Sequence, residues 1–93
     1  MTDEARTTLT IYRRPGCHLC DDAELLLRDE LAQRARAGLA PIDVEHVDIS
    51  TDAVLEARYR RRIPVFVIGE TESELVTSAR QVREFLEQAA PRP

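Results

Sequence analysis

Residues 11–20 read Ile11-Tyr12-Arg13-Arg14-Pro15-Gly16-Cys17-His18-Leu19-Cys20. Just upstream, Leu9 and Ile11 alternate with Thr8, Thr10 and Tyr12, the period-two pattern of a strand over about 8–13. Pro15 and Gly16 interrupt that pattern. Beyond them Leu19, Ala23, Leu26, Leu27, Leu31 and Ala35 recur at helical spacing, and Gly38 marks a stop. Asp21, Asp22 and Glu24 crowd the start of this helix and Arg34 and Arg36 its end, the order the helix dipole favours. The two cysteines therefore lie where a strand hands over to a helix.

The rest of the chain extends the alternation. After Pro41, residues 42–49 (Ile-Asp-Val-Glu-His-Val-Asp-Ile) read as a second strand, and Ser50 or Thr51 is expected to cap a short helix reaching about Arg61. Val65 to Ile68 is a continuous apolar run, as expected of a strand buried on both faces. Residues 69–73 read as a turn and 74–77 as a short return strand. Ser78 with Gln81 three residues on forms a capping-box pattern. Ala79, Val82, Phe85, Leu86 and Ala89 then mark a last helix. Residues 1–6 are polar and expected to fray, and Pro91 and Pro93 close the chain.

The order is β-α-β-α-β-β-α. Strands joined through a helix should run parallel and the last two should form a hairpin. The fold class is thus α/β, a four-stranded mixed sheet flanked by three helices. With 93 residues, one domain over 1–93 is expected, its ordered core about 8–89.

Composition narrows the function. The net charge of −4 disfavours phosphate-backbone recognition, and four aromatic residues with no Trp leave little surface for stacking bases, so no nucleic-acid partner is expected. All thirteen basic side chains are Arg, which removes lysine Schiff-base chemistry. No apolar run is long enough to span a membrane and residues 1–6 lack a signal-peptide pattern, so the chain reads as cytoplasmic, with no membrane partner. Nothing requires an oligomer, and a monomer is expected.

Cys17 and Cys20 are the only cysteines. A bridge between them closes so short a loop that it restricts the unfolded chain very little, which argues against a structural staple. In a reducing compartment a lone close pair is more often catalytic or metal-binding. Placement favours the first. Cys17 should stand at or just before the first helical residue, exposed, where free N–H groups and the positive helix end stabilise a thiolate. Cys20, one turn deeper, is less accessible. Cys17 would then attack a substrate disulfide and Cys20 would resolve the mixed disulfide. Arg13, Arg14 and a charged His18 favour the thiolate while Asp21 and Asp22 oppose it; the cationic and helix terms are expected to win because the carboxylates can turn to solvent.

The stretch 11–20 resembles the opening strand and active-site turn of glutaredoxins, and Arg62-Ile63-Pro64-Val65-Phe66-Val67-Ile68 resembles that family's Thr-Val-Pro strand. The likeness runs over about 8–89 and looks closest to the small bacterial glutaredoxin-like proteins. It implies a thioredoxin fold and thiol–disulfide exchange, with Pro64 cis and facing the cysteines. Arg14 falls where many glutaredoxins carry a Lys that holds the thiolate and glutathione, and Ile63 would take a valine's place in binding substrate through backbone N–H and C=O. The resemblance thus implies catalytic Cys17 and Cys20 and a substrate site of Arg14, Ile63 and Pro64, to which the charge reading adds His18.

The departures bear on the co-substrate. His18-Leu19 replaces the usual Pro-Tyr between the cysteines. Leu75-Val76-Thr77-Ser78-Ala79-Arg80 lacks both the Gly-Gly kink and the acidic residue that meets the glutathione amino group. No bound cofactor is expected, and a low-molecular-weight thiol such as glutathione enters only as a co-substrate against which these departures count. The partners are a disulfide-bearing protein or small-thiol mixed disulfide, and a reductase or small thiol for recycling.

Other residues have alternative readings. Arg58, Arg60, Arg61 and Arg62 either draw an acidic partner or a carboxylate-bearing thiol to the site, or form a solvated cluster at a helix end. His46 reads as a surface or structural residue rather than a metal ligand, Tyr12 as packing at a strand end, and Phe66 and Phe85 as core. Two other functions stand beside exchange. One is zinc or iron–sulfur binding through Cys17 and Cys20, which needs further ligands that only His18 and His46 could add within one chain. The other is a redox-inert interaction module.

Overall fold

The computed structural model describes residues 7–90; the expectations for residues 1–6 and for Pro91 and Pro93 fall outside them. Strand β1 (Thr7–Arg13) leads into helix α1 (His18–Arg36), then strand β2 (Ile42–Asp48), a 3-10 turn (Ile49–Thr51), helix α2 (Ala53–Tyr59), strands β3 (Val65–Ile68) and β4 (Thr71–Ser73), and helix α3 (Ala79–Ala89). The sheet order is β2-β1-β3-β4. β1 and β2 are parallel, with Leu9 opposite Val44 and Arg13 opposite Asp48. β3 runs antiparallel to both β1 and β4. This is the expected mixed sheet and the thioredoxin-like arrangement.

The period-two pattern of β1 divides two cores. Leu9 and Ile11 point to one face and meet Ala23 and Leu27 of α1, Phe66 and Ile68 of β3, and Val82, Phe85 and Leu86 of α3. Phe66 and Phe85 pack edge to face at 6.0 Å between ring centroids. Tyr12 points to the other face, where Ile49, Tyr59, Val65 and Ile63 form a smaller cluster under α2. There Tyr12 stacks on Tyr59 at 4.5 Å. β3 is sandwiched between the two clusters, which is why Val65 to Ile68 reads as an unbroken apolar run.

Two local expectations are corrected. The cap of α2 is Asp52, whose carboxylate accepts the N–H groups of Val54 (2.8 Å) and Leu55 (3.2 Å). Ser50 and Thr51 instead turn their hydroxyls onto Asp48, to its carboxylate at 2.7 Å and its carbonyl at 2.9 Å. A carboxylate one residue later outcompetes the hydroxyls for the helix end. The return strand is Thr71–Ser73, not residues 74–77. Gly69, at φ +59°, begins a two-residue turn that sets Ile68 opposite Thr71, so pairing is complete before Glu74. Val76 is buried all the same, its N–H donating to the Pro64 carbonyl at 3.2 Å.

Gly38 ends α1 as expected, at φ +80°, with its N–H on the Ala35 carbonyl. Ser78 caps α3 through the Gln81 N–H at 3.1 Å, but the reciprocal bond is displaced by one residue: the Gln81 side chain accepts from the N–H of Thr77 at 2.8 Å. Among the described residues no helix is long and apolar enough to cross a membrane.

Candidate active site

The turn Arg14-Pro15-Gly16 uses φ +77° at Gly16 to bring the chain from β1 to the start of α1. Cys17 is the N-cap of that helix. Its Sγ accepts the N–H of Cys20 at 3.1 Å, doing for α1 what a Ser or Asp oxygen does elsewhere. The two cysteines form a disulfide with Cα atoms 5.2 Å apart. Cys20 is 0 % exposed, as expected of the inner partner. Cys17 is half-buried rather than openly exposed, because its sulfur turns back over the first turn of α1 to reach Cys20. His18 and Leu19, between them, are exposed.

Tyr12 stands opposite Val65 in the β1–β3 pairing. The next residue of β3's entry is Pro64, and the Ile63-Pro64 bond is cis. Pro64 therefore sits at the end of the sheet from which β1 delivers Cys17. Pro64 is buried and Ile63 half-buried. Ile63 departs from expectation in its backbone: its N–H donates to the Tyr59 carbonyl at 3.1 Å, closing the last turn after α2. Only its carbonyl stays available for the expected role.

The arginines before Cys17 are committed elsewhere. Arg13 donates to Asp21 at 2.8 Å and also to Glu24, and these two carboxylates push its guanidinium pKa up against the opposing effect of burial. Glu24 in turn meets Nε2 of His46 at 3.1 Å. Arg14 pairs with Glu56 of α2 at 3.2 Å. Asp21 is thus paired with Arg13 rather than left alone in solvent. Asp48 is held below the usual carboxylate range by the hydroxyl and N–H of Ser50, with Arg14 and Arg13 adding to the effect. Arg13, Arg14, Pro15, Glu24, His46 and Asp48 line an open groove of about 330 Å³ beside the turn.

The arginine cluster splits. Arg58 and Arg62 lie over the Tyr59 ring at 5.3 and 5.5 Å. Arg62 also pairs with Glu72 at 3.2 Å and with Glu74. Arg60 and Arg61 are exposed with no side-chain partner among the described residues. His46 is on the sheet surface, held by Glu24, and among the described residues no three His, Cys, Asp or Glu side chains converge as a metal site. Glu24 and Glu56 were not foreseen as members of the site. They approach it only through packing of α1 and α2, and no spacing relative to Cys17 marks them.

A mixed sheet of order β2-β1-β3-β4, a Cys-x-x-Cys pair at the start of α1 and a cis-proline entering β3 define a thioredoxin-fold protein of the glutaredoxin type. Residues 8–89 match the family described as Glutaredoxin-like domain (DUF836), and the chain belongs to that family. Among solved structures it is similar to the Northeast Structural Genomics target protein XcR50 from X. campestris, at 36% identity with a TM-score of 0.67, over 87% of this chain and 97% of that one. No curated protein matches it.

Proposed function

We propose that the chain is a dithiol thiol–disulfide oxidoreductase. The observation that carries this reading is the disulfide between a half-buried N-cap cysteine and a fully buried one a helical turn away, at the end of the sheet that also holds cis-Pro64. In the reduced protein the Cys17 thiolate attacks one sulfur of a substrate disulfide, forming a mixed disulfide and releasing the other half as a thiolate. The Cys20 thiolate then attacks Cys17, so the substrate leaves as two thiols and the protein keeps the internal disulfide. Two electrons pass from the dithiol to the substrate, and a small thiol or a reductase returns them. No resident cofactor takes part.

In this reading the substrate is met by His18, by Pro64 and the Ile63 carbonyl, and by Arg14 once it leaves Glu56. Such a cycle suits a monomer in the cytoplasm, where thiol pools keep the pair reduced.

Intact mass is the direct test. The reduced protein, freed of reductant and treated with mild oxidant, should lose about 2 Da and recover them with a dithiol. Cysteines that stay reduced, or metal co-purifying in stoichiometric amount, would sink the proposal. Cys20→Ser should trap a mixed disulfide on Cys17, whereas trapping by Cys17→Ser would reverse the assigned order.

A further inference from the structure

We infer that this site, taken as the exchange site proposed above, selects disulfides in polypeptide segments with an apolar side chain beside the cysteine, and does not select glutathione disulfides. A short, highly charged thiol peptide has little apolar surface and must be held by N–H donors and cations. Around the cis-proline the N–H donors of the turn and loop are spent. The N–H of Ile63 is on Tyr59, that of Leu75 on the Arg62 carbonyl at 2.8 Å, and that of Val76 on the Pro64 carbonyl. At the start of α3 two more N–H groups are taken up by local side chains, that of Thr77 by Gln81 and that of Gln81 by Ser78. Arg14 is paired with Glu56, and Arg62 with Glu72 and Glu74.

What the same region leaves open is apolar. Leu19, inside the disulfide loop, is 51% exposed, and Leu75 is 46% exposed. Leu75 also has φ +51°, a conformation L side chains rarely adopt. The loop keeps it there because the N–H groups of Leu75 and Val76 are pinned to the carbonyls on either side of Ile63. An apolar side chain is thus held in solvent beside Pro64, where burial against a partner would be its return. The occupant is an extended polypeptide whose cysteine meets Cys17 while its apolar neighbours cover the exposed leucines. Arg60 and Arg61, without a side-chain partner among the described residues, lie on the turn entering Ile63 and give this surface a cationic rim that suits an acidic segment.

The reaction is the one already written: Cys17 takes the peptide's cysteine sulfur, the leaving thiolate departs, and Cys20 then frees the peptide thiol. The test uses the reduced full-length protein with three mixed disulfides that share thionitrobenzoate as the leaving group. One carries glutathione, one a peptide with Leu on both sides of its Cys, and one the same peptide with Ser at those places and the same negative charge. Release of thionitrobenzoate is followed by absorbance. The Leu-flanked peptide should react at least about tenfold faster than the glutathione disulfide, on the scale that apolar contacts contribute to discrimination. Leu75→Asn, which tolerates the positive φ, should cut that ratio to about threefold or less, and Leu19→Ser should lower it independently. Equal rates, or a faster glutathione disulfide, would overturn the selectivity while exchange itself stood. No release from any of the three would overturn exchange and this inference together. A ratio unchanged in both folded variants would remove the leucines as its source.

Discussion

The backbone N–H of Cys20 donates to the Sγ of Cys17 across 3.1 Å, so the buried cysteine's own amide lies against the sulfur that its side chain would later attack. This donor belongs to the first turn of α1 and persists whichever way the nearby side chains point. With Arg13 on Asp21 and Glu24, and Arg14 on Glu56, it is the fixed part of the electrostatics at Cys17.

Alkylation should register that asymmetry. Iodoacetamide at neutral pH should modify Cys17 in Cys20→Ser at least about tenfold faster than Cys20 in Cys17→Ser, because one sulfur caps the helix end and is only half-buried while the other is enclosed. Peptide mapping after timed quenching gives both rates. Comparable rates would mean that the helix end confers no advantage on Cys17.

The pairing of Arg14 with Glu56 holds a cation away from the site, and one oxygen of Glu56 is buried with no hydrogen-bond partner. Glu56→Gln should release Arg14 toward Cys17. The alkylation rate of Cys17 should then rise about two- to threefold at low ionic strength, the effect of a partly exposed pair worth ~0.5 kcal/mol. High salt should erase the difference. A rate that does not move at low salt would mean that Arg14 cannot reach the sulfur.

Tyr59 supplies a pH signature. Burial, and then the 2.8 Å hydrogen bond its hydroxyl donates to Glu72, raise its pKa above the ordinary tyrosine value. The folded state therefore holds the phenol proton more tightly than the unfolded chain does. The resulting stability is fully present below the unfolded value of about 10 and is lost as pH rises through the higher folded value. Tyr12→Phe leaves Tyr59 as the sole phenol in a chain without Trp, so phenolate absorbance can be read without overlap. Its midpoint should lie higher in the folded protein than in urea, and Glu72→Gln should bring it down. Equal folded and unfolded midpoints would contradict the burial argument.

Glu30 is only 5% exposed on α1 and is met by Arg83 of α3 at 3.0 Å. Removing the donor strands a desolvated carboxylate. Arg83→Ala should lower the urea midpoint of the oxidised protein by more than an ordinary surface substitution does. Glu30→Leu, which removes the charge with the pair, should be near neutral or stabilising. If Arg83→Ala cost no more than an ordinary surface substitution, the pair would add nothing to the docking of α1 on α3.

Local signals and their outcomes differ by kind. The strand over 8–13, the break at Pro15 and Gly16, the apolar run Val65 to Ile68 and the Ser78 cap were legible because each depends on neighbours within one turn or one strand. The α2 cap was misplaced because Ser50, Thr51 and Asp52 all have N-cap chemistry, and the choice fell to Asp48, which engages the first two. The return strand was placed too late because Leu75 and Val76 look like strand residues. In the folded chain Val76 is buried by pairing with Pro64, outside the β3–β4 ladder.

By itself the sequence determined that Cys17 and Cys20 stand between a strand and a helix, with the outer sulfur at the helix end, since residue spacing and backbone periodicity suffice for that. Which charges act there was decided only by tertiary structure. Arg13 and Arg14 adjoin the pair in sequence, yet Asp21, Glu24 and Glu56 claim them once α1 and α2 pack on the sheet. The N–H of Ile63 is likewise spent by the turn after α2. Ion pairs and hydrogen bonds depend on separations of about 3 Å in space, and separation along the chain does not encode them.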